Sequence, residues 1–534
     1  MTKYDKINGE LVTLRNQLYQ IRITMYNHMD KPVFIPYKVV NGLVIEETMI
    51  NWWTKGWIIL KNDFEVLEKG ANLDLLTTNN PSQPLENHVY KFRHDGRNKI
   101  NIRISTISDD VDEKLWTMDY DFIIYDVEDM QSVSSFKKEK KFYFIDERYQ
   151  IFSERNIPWS TSTHNTELRQ VPNEILKTPI WQRPDEYRRM NPCDAIKSIL
   201  NTASCNSFVS SIRQGEIKVG YDYKNGSIDK PDIPLNTIND DLWTKGNQSQ
   251  DYNVFYTSPS NSTVMNDLDF MLNHAVGDKK DPVFLSLNRY DKKWQLMSLK
   301  DYFINAKQLE RLLLDDGVPP VTTAYVARAP IQGDGKKIIN FTSPRASLLR
   351  NYKFSQMAPV DDLRFINRPV HMFDFSTGTY NIYAKDNKVE SFYENLKDVC
   401  SSGGLYSFAA NSGKGQVWMN INKTKTKGIS VENTHLTQGP SILNSVRMMK
   451  DILFLNQSLY FQNEGLTLRS PGNFIFVDKL DSSDKNVFTD KFLGQWFITK
   501  VTHYFDQVMY VTDVYSTKFD GLQSHWDVVD KKTY

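Results

Sequence analysis

Paired carboxylates are the most frequent chemistry-bearing pattern in this chain: Asp109-Asp110, Asp240-Asp241, Asp315-Asp316 and Asp361-Asp362. A glycoside hydrolase needs two carboxyls held ~5 to 9.5 Å apart across a cleft. Neighbours on an extended chain point to opposite faces, so adjacency does not supply that spacing. These pairs read as solvated turns. Asp110-x-Asp112-x-Lys114 lacks the glycine and the closing glutamate of a calcium loop. Asn411-Ser412-Gly413-Lys414-Gly415 has Phe408 where a phosphate loop needs glycine, and Gly415 where it needs Ser or Thr. It reads as a turn, as does Gly333-Asp334-Gly335-Lys336-Lys337.

Metal and nucleophile chemistry finds no better support. His28, His88, His164, His274, His371 and His503 never fall at HxH or HxxxH spacing with one another, and a zinc site needs three or four converging ligands. Cys193, Cys205 and Cys400 are isolated. An odd count without CxxC argues against a disulfide framework and for small buried thiols. Lys137 to Lys141 (KKEKK), interrupted by Glu139, and Arg188-Arg189 could meet DNA, but short charge runs are usually solvated loops. The expectation is no catalytic residue, no cofactor and no metal.

The elements that would position any site come next. With 534 residues the chain is too long for one core, and ~150 residues per domain suggests three or four. Lys+Arg and Asp+Glu are both 65, so the basic excess of a dedicated nucleic-acid binder is missing. Aromatics make up 13% of residues, which favours β structure and large protein interfaces. The N-terminus has no apolar stretch of a signal peptide, and no apolar run approaches ~18 residues, so no membrane insertion is expected.

The organising stretch is Gly494 to Phe519, GQWFITKVTHYFDQVMYVTDVYSTKF, which reads as one β-hairpin. Asp506-Gln507 is a weak two-residue turn, so a four-residue turn is an equal alternative. One face of its first strand carries Trp496, Ile498, Lys500, Thr502 and Tyr504; the other carries Phe497, Thr499, Val501, His503 and Phe505. Neither face is purely polar, so both want partners. A barrel or ring with an assembly contact on one side is expected.

Residues 1–150 form the first β unit. Its strands are 19–26, 33–37, 43–48, 57–60, 99–105, 121–125 and 141–145, with Asn41-Gly42 as a hairpin turn and 70–95 and 126–140 as polar connections. Residues 151–320 are an α+β region. Ile196, Ile199 and Leu200 mark a helix over 194–203, and Leu268, Met271, Leu272 and Val276 a second over 263–276. Between them 218–262 is a polar loop. A hairpin over 281–298 and a short helix over 306–314 complete the region. Residues 321–440 are a connecting mixed region, with strands at 323–327, 370–375 and 380–384 and a helix over 390–399. Residues 441–534 carry a helix over 441–450, strands at 452–461, 465–469 and 474–477, and the hairpin.

The series Gly465–Leu468, Pro471-Gly472-Asn473-Phe474-Ile475-Phe476-Val477, Gly494-Gln495-Trp496-Phe497-Ile498, Val501-Thr502-His503 and Tyr510 resembles the baseplate central hub proteins of contractile phage tails. The base of type VI secretion spike proteins shares that pattern. The helices 194–203 and 263–276, the run Asp281-Pro282-Val283-Phe284-Leu285 leading to Leu299-Lys300-Asp301-Tyr302-Phe303, and Phe122–Asp126 with Tyr143–Asp146 are similar to the family in the same order. The insertion 478–490 and the long 218–262 region depart from it.

The resemblance implies a mainly β chain with an α+β insertion, that is two hub-type β-barrel domains and a smaller α+β region. It also implies a non-enzymatic structural role: a homotrimer whose paired barrels make a pseudo-six-fold ring. The partners would be the tail tube protein, the central spike protein and other baseplate proteins. DNA would pass through the ring without being specifically bound. The place would be the virion tail baseplate, assembled in the host cytoplasm. His503 would be a hydrogen-bonding barrel residue. Trp496, Tyr504 and Tyr510 are the candidate interface residues, with core packing an equal reading for each. A cell-wall hydrolase built on a hub base and a glycan-binding tail adhesin are the alternatives.

Overall fold

In the computed structural model, residues 9–15, 17–26, 32–61, 98–107, 116–131, 138–168, 172–179, 182–203, 238–249, 252–278, 281–305, 308–314, 346–348, 351–355, 370–374, 379–383, 417–421, 425–426, 429–430, 457–479 and 494–518 are described. The chain is mainly β with an α+β insertion. The expected segments 70–95, 323–327, 390–399 and 441–450, residues 480–490 of the longer insertion and most of 321–440 lie outside these residues.

The first unit is built by β1 (Glu10–Leu14), β2 (Gln17–Tyr26), β3 (Pro32–Ile35), β4 (Val40–Thr48), β5 (Lys55–Leu60), β6 (Asn98–Thr106), β7 (Thr117–Gln131) and β8 (Lys138–Asp146). Period-two alternation makes each strand two-faced. Tyr19, Ile21, Ile23 and Met25 of β2, Ile100, Ile102 and Ile104 of β6, and Met118, Tyr120, Phe122 and Ile124 of β7 all turn into one core. Phe142 and Phe144 of β8 close it, with the Phe122 and Phe144 rings 4.4 Å apart. Each such side chain contributes roughly 1.5–3 kcal/mol by leaving water.

After α1 (Glu147–Glu154), capped by Asp146, the inserted unit follows. It has α2 (Pro192–Ala203), β9 (Ile238–Trp243), α3 (Val264–His274), β10 (Val283–Leu287), β11 (Trp294–Ser298) and α4 (Leu299–Asn305). Ile196, Ile199 and Leu200 of α2 meet Leu268 and Met271 of α3 over Trp294 and Leu296. Trp52, from the loop between β4 and β5, belongs to this core, its ring 4.9 Å from Trp294. Cys193 is buried there as well.

The C-terminal unit contains β12 (Gln308–Leu314), β13 (Ala346–Leu348) and β14 (Tyr352–Ser355). A separate sheet holds β15 (Val370–Asp374), β16 (Thr379–Tyr383) and β17 (Val417–Ile421), and β18 (Lys425–Thr426) pairs β19 (Ile429–Ser430). The unit is completed by β20 (Gln457–Glu464), β21 (Phe474–Lys479), β22 (Gly494–Phe505) and β23 (Tyr510–Lys518). Among the described residues fifteen strands form one sheet, running β1-β2-β6-β7-β8-β5-β4-β22-β21-β12-β13, with β3 on β2, β23 on β22, and β20 and β14 beyond β23.

The hairpin β22–β23 joins the two β units. One edge of β22 pairs with β21 over 494–497 and with β4 over 500–505, while the other edge pairs with β23. The pairing with β23 shifts register between Ile498 and Lys500, and such a bulge bends a strand. Trp496, Ile498, Val501 and Val514 therefore fill the second core, and Phe505 and Tyr510 fill the first. The turn is the four-residue form. Asp506 N donates to Met509 O at 3.0 Å, and Asp506 Oδ1 accepts from Val508 N at 2.7 Å and Met509 N at 2.6 Å.

Several local expectations are corrected. Asn41-Gly42 is inside β4, at a register shift against β5; the chain turns earlier, through a single 3-10 turn at Tyr37–Val39. Residues 126–131 and 138–140, expected as connection, extend the β7–β8 ladder. The segment 308–314 is a strand, although Leu, Glu and Arg favour helix, because parallel pairing with β21 and β13 overrides propensity. Residues 465–469 form no strand; Arg469 N turns back to Leu466 O at 3.2 Å. The middle of the 218–262 stretch carries β9, parallel to β11.

Gly465 marks the closest backbone approach at the junction. It donates to Tyr510 O at 2.7 Å, and a β-carbon there would lie 2.2 Å from the Tyr510 ring. Gly465→Ala is expected to cost about 1–3 kcal/mol, read as a lowered thermal midpoint of the purified chain. An unchanged midpoint would show that Tyr510 moves aside freely.

Candidate functional site

Among the described residues, a connected set of buried polar groups sits where β4, β7, β22 and β23 meet the loop 465–472 and the β10–β11 hairpin. Alternation along β4 puts Glu47 on the same face as Leu43 and Ile45, so its carboxylate points into the core. Opposing it, the bulge in β22 turns Val501, His503 and Phe505 inward. His503 has no solvent exposure.

Hydrogen bonding fixes the imidazole. Nδ1 lies 2.7 Å from the Tyr510 hydroxyl and Nε2 lies 3.1 Å from Glu47 Oε2. A neutral ring with its proton on Nε2 satisfies both, accepting from Tyr510 and donating to Glu47. The Tyr120 hydroxyl donates to the other Glu47 oxygen. Arg289, from the β10–β11 turn, approaches Glu47 Oε2 at 3.4 Å and donates to Arg469 O at 3.1 Å and to Thr467 O. Arg469 forms a forked pair with Glu310 of β12, with Nη2 2.9 Å from Oε1, and donates to Glu464 O at 2.6 Å and to Thr512 Oγ1. Thr467 Oγ1 donates to Trp116 O at 2.8 Å and contacts Thr106 Oγ1 at 2.6 Å.

The electrostatics follow from burial and pairing. Burial pushes the Glu47 carboxyl up, but the Arg289 charge and the His503 and Tyr120 hydrogen bonds outweigh it, so Glu47 titrates below its ordinary value. Burial lowers His503, and the Glu47 contacts offset this only in part. Burial also raises the Tyr120 and Tyr510 hydroxyls well above the usual value. Glu47 is thus an anion among neutral donors and one arginine.

A Tyr-His-Glu chain has the components of a proton relay. Here every member is enclosed: Tyr510 is 1% exposed and Glu47 8%. The arrangement can hold strands together; it offers no face to a substrate. Among the described residues no group of three His, Cys, Asp or Glu side chains is placed to hold a metal ion. No helix among them is long and apolar enough to cross a membrane.

Of the residues singled out from sequence, Trp496 is fully buried in the second core, edge-on to Phe354 at 5.2 Å. Tyr510 is buried in the first core, stacked on Phe505 at 3.9 Å. The core reading describes both. Tyr504 is on the outer face of the sheet and 38% exposed. His503 is a hydrogen-bonding core residue of the β junction. Sequence reasoning missed Glu47, Arg289, Glu310 and Arg469. The signal for Glu47 was its core-facing parity in an otherwise apolar strand. The two arginines sit in loops, with no local pattern to mark them.

No family model and no curated protein matches the chain. Solved structures do. The tail protein from Neisseria meningitidis MC58 aligns over 94% of this chain and 98% of its own, at 7% identity and a TM-score of 0.42. The 43 kDa tail protein of prophage MuSo2 from Shewanella oneidensis aligns over 94% and 99%, at 6% identity and a TM-score of 0.40. A type VI secretion system component from E. coli aligns over 90% and 73%, at 9% identity and a TM-score of 0.34. The chain is similar to these tail proteins. Each likeness concerns the course of the chain and carries no residue roles.

Glu47→Gln removes the buried carboxylate charge that Arg289, His503 and Tyr120 converge on and is expected to cost roughly 3 kcal/mol, measured by chemical denaturation at pH 7. The pH dependence has one sign for both groups. His503 titrates below 6.5 and Glu47 below 4.5 in the folded chain, so the unfolded chain takes up their protons first. Their stabilisation is complete above 6.5; the His503 part fades as pH falls through its folded value, and the Glu47 part fades below 4.5. The gap between the native chain and Glu47→Gln should narrow in acid; a gap that widens would contradict the assignment.

Proposed function

We propose that this chain is the structural hub of a contractile-tail baseplate. Three copies would close into a ring that adapts the six-fold tail tube to the three-fold central spike. The ring would surround the channel through which DNA passes, and other baseplate proteins would dock around it. The place of action would be the virion tail, after assembly in the host cytoplasm.

The observation that carries this reading is the single sheet running through two separate β cores across the β4–β22 pairing. A ring adaptor has to transmit load between neighbouring β units without hinging, and a shared sheet does so. Two β units per chain give six units in three chains, the number a six-fold partner requires. The residues that carry the sequence resemblance support the reading as well. Gly465, His503 and Tyr510 are the parts that fuse the two units. The ionic cluster around Glu47 is closed to solvent, which favours a structural role over a hydrolytic one.

The outer face of the hairpin supplies a contact between copies. Tyr504 and Tyr515 are 38% and 43% exposed there, with Lys500 paired to Glu46 at 3.0 Å beside them. Large half-exposed aromatics with charged neighbours anchor interfaces. Light scattering after size exclusion should give a mass of three subunits, with ring-shaped particles in negative stain. Tyr504→Ala should raise the concentration needed for assembly at least tenfold while leaving the thermal midpoint nearly unchanged. A native chain that stays a compact monomer, alone and when co-expressed with its spike, would overturn the proposal.

A further inference from the structure

The turn of the β22–β23 hairpin is a fixed apolar tip. Among the described residues Val508 is the most exposed large apolar side chain, at 70%, and Met509 beside it is 39% exposed. Neighbouring turns hold the tip in place. Arg15 N donates to Val508 O at 3.0 Å, Gln507 Nε2 donates to Lys38 O at 2.7 Å, and the Tyr37 hydroxyl donates to Asp506 O at 2.5 Å. A tip already held in one shape has little ordering cost left when it docks.

Two cations flank the tip. Arg15 and Lys38 are exposed, and neither forms a salt bridge among the described residues. The Arg15 guanidinium reaches only Met509, with Nη2 3.6 Å from Sδ. The carboxylates nearby serve the backbone instead. Asp506 Oδ1 accepts from Val508 N and Met509 N, and Glu10 Oε2 accepts from Tyr37 N at 2.9 Å. The tip thus offers apolar surface edged by two unpaired positive charges.

The outer face of the sheet has the opposite character at its end beside the turn. Register sets Tyr504, Val511 and Glu464 in one row across β22, β23 and β20, and Thr502, Asp513 and Gln462 in the next. Glu464 is exposed and forms no salt bridge among the described residues. Asp513 hydrogen-bonds with Gln462 Nε2 at 2.9 Å and with the Tyr460 and Tyr504 hydroxyls, and no cation among the described residues pairs with it. Of the lysines on this face, Lys500 is paired with Glu46 at 3.0 Å. Lys353 is opposite Tyr460, roughly 13 Å along β20 from Glu464.

We propose that the β22–β23 tip of one copy docks on the acidic, aromatic end of this face on the next copy. Val508 and Met509 pack against Tyr504 and Val511, while Arg15 and Lys38 meet Glu464 and Asp513. The proposal rests on the ring reading above and names the two halves of its contact. A ring of identical subunits needs two different patches that complement each other, because a patch matched to itself gives a closed pair. Tip and face are such a pair: one protrudes and is basic, the other is a sheet surface and is acidic. Each carries charge that its own chain leaves unpaired, and the second copy supplies the partner. An apolar centre with a charged rim is also the ordinary anatomy of a specific contact.

The test is charge reversal in the full chain, read as the concentration at which three-subunit particles form in sedimentation. One chain carries Arg15→Glu and Lys38→Glu, a second carries Glu464→Lys, and a third carries all three. Each of the first two should need about tenfold or more protein to assemble, because like charges then face each other. The third should assemble near the native concentration. All three sites are exposed, so thermal midpoints should stay close to native; should a reversed chain unfold, Arg15→Gln and Glu464→Gln give the same direction with a smaller shift. A native chain that forms trimers while the first two variants assemble equally well would overturn the proposal and leave the ring reading standing. So would a third chain no better than the first two. Trimers of the first variant that no longer hold the spike would give the tip to another partner and overturn it as well. A native chain that never trimerises, alone or with its spike, removes the ring reading and this contact together.

Discussion

A carboxylate that loses its water must be given donors in return, and Glu47 imposes that demand at the centre of this molecule. Its oxygens take Tyr120 from β7, His503 from β22 and Arg289 from the inserted hairpin. Three separate stretches of chain are therefore fixed relative to β4. Arg469 repeats the logic one layer away, holding Glu310 of β12 while its carbonyl receives Arg289. The two ionic groups are linked through one arginine and one backbone carbonyl, so neither unit can shift without unpairing a buried charge. Buried charges rarely add net stability over an apolar packing of the same volume, but breaking one partner is costly. What they provide here is a single permitted geometry.

The hairpin gives that geometry mechanical continuity. A straight strand twelve residues long would serve one barrel. The register shift at Ile498–Lys500 lets β22 leave the β21 pairing and enter the β4 pairing. Its apolar side chains are then divided between two cores. Gly472, at φ +83°, completes the arrangement: its backbone bonds to Ile498 O at 2.9 Å, and a β-carbon there would meet the Tyr302 ring at 2.5 Å. The inserted unit is thus pinned at this glycine by Tyr302, and at the other end by Arg289 and Trp52.

Much of the strand order was legible because alternation is a local signal. Tyr19 to Met25, Ile100 to Ile104 and the hairpin are readable from residue types alone, as are the helices around Ile196 and Leu268. What was not legible depends on distant partners. Nothing in QLERLLL says strand until β21 lies beside it. Asn41-Gly42 is a good turn signal in isolation, yet the chain continues through it because β5 and β22 need a long partner. Glu47 and His503 are 456 residues apart, so neither predicts the other. The aromatics of the hairpin were visible as anchors, but alternation cannot distinguish an assembly anchor from a core residue across a bulge. That is why Trp496 is inside and Tyr504 is outside.

The central claim is that the two β units behave as one cooperative body through β4, β22 and β23. Native-state hydrogen exchange on the full chain, read by mass spectrometry in increasing denaturant, tests it most directly. The account predicts that amides of 43–48, 457–464, 498–505 and 510–517 share one opening free energy and exchange together. Early exchange of 457–464 while 43–48 stays protected, or the reverse, would contradict it and make the junction a hinge.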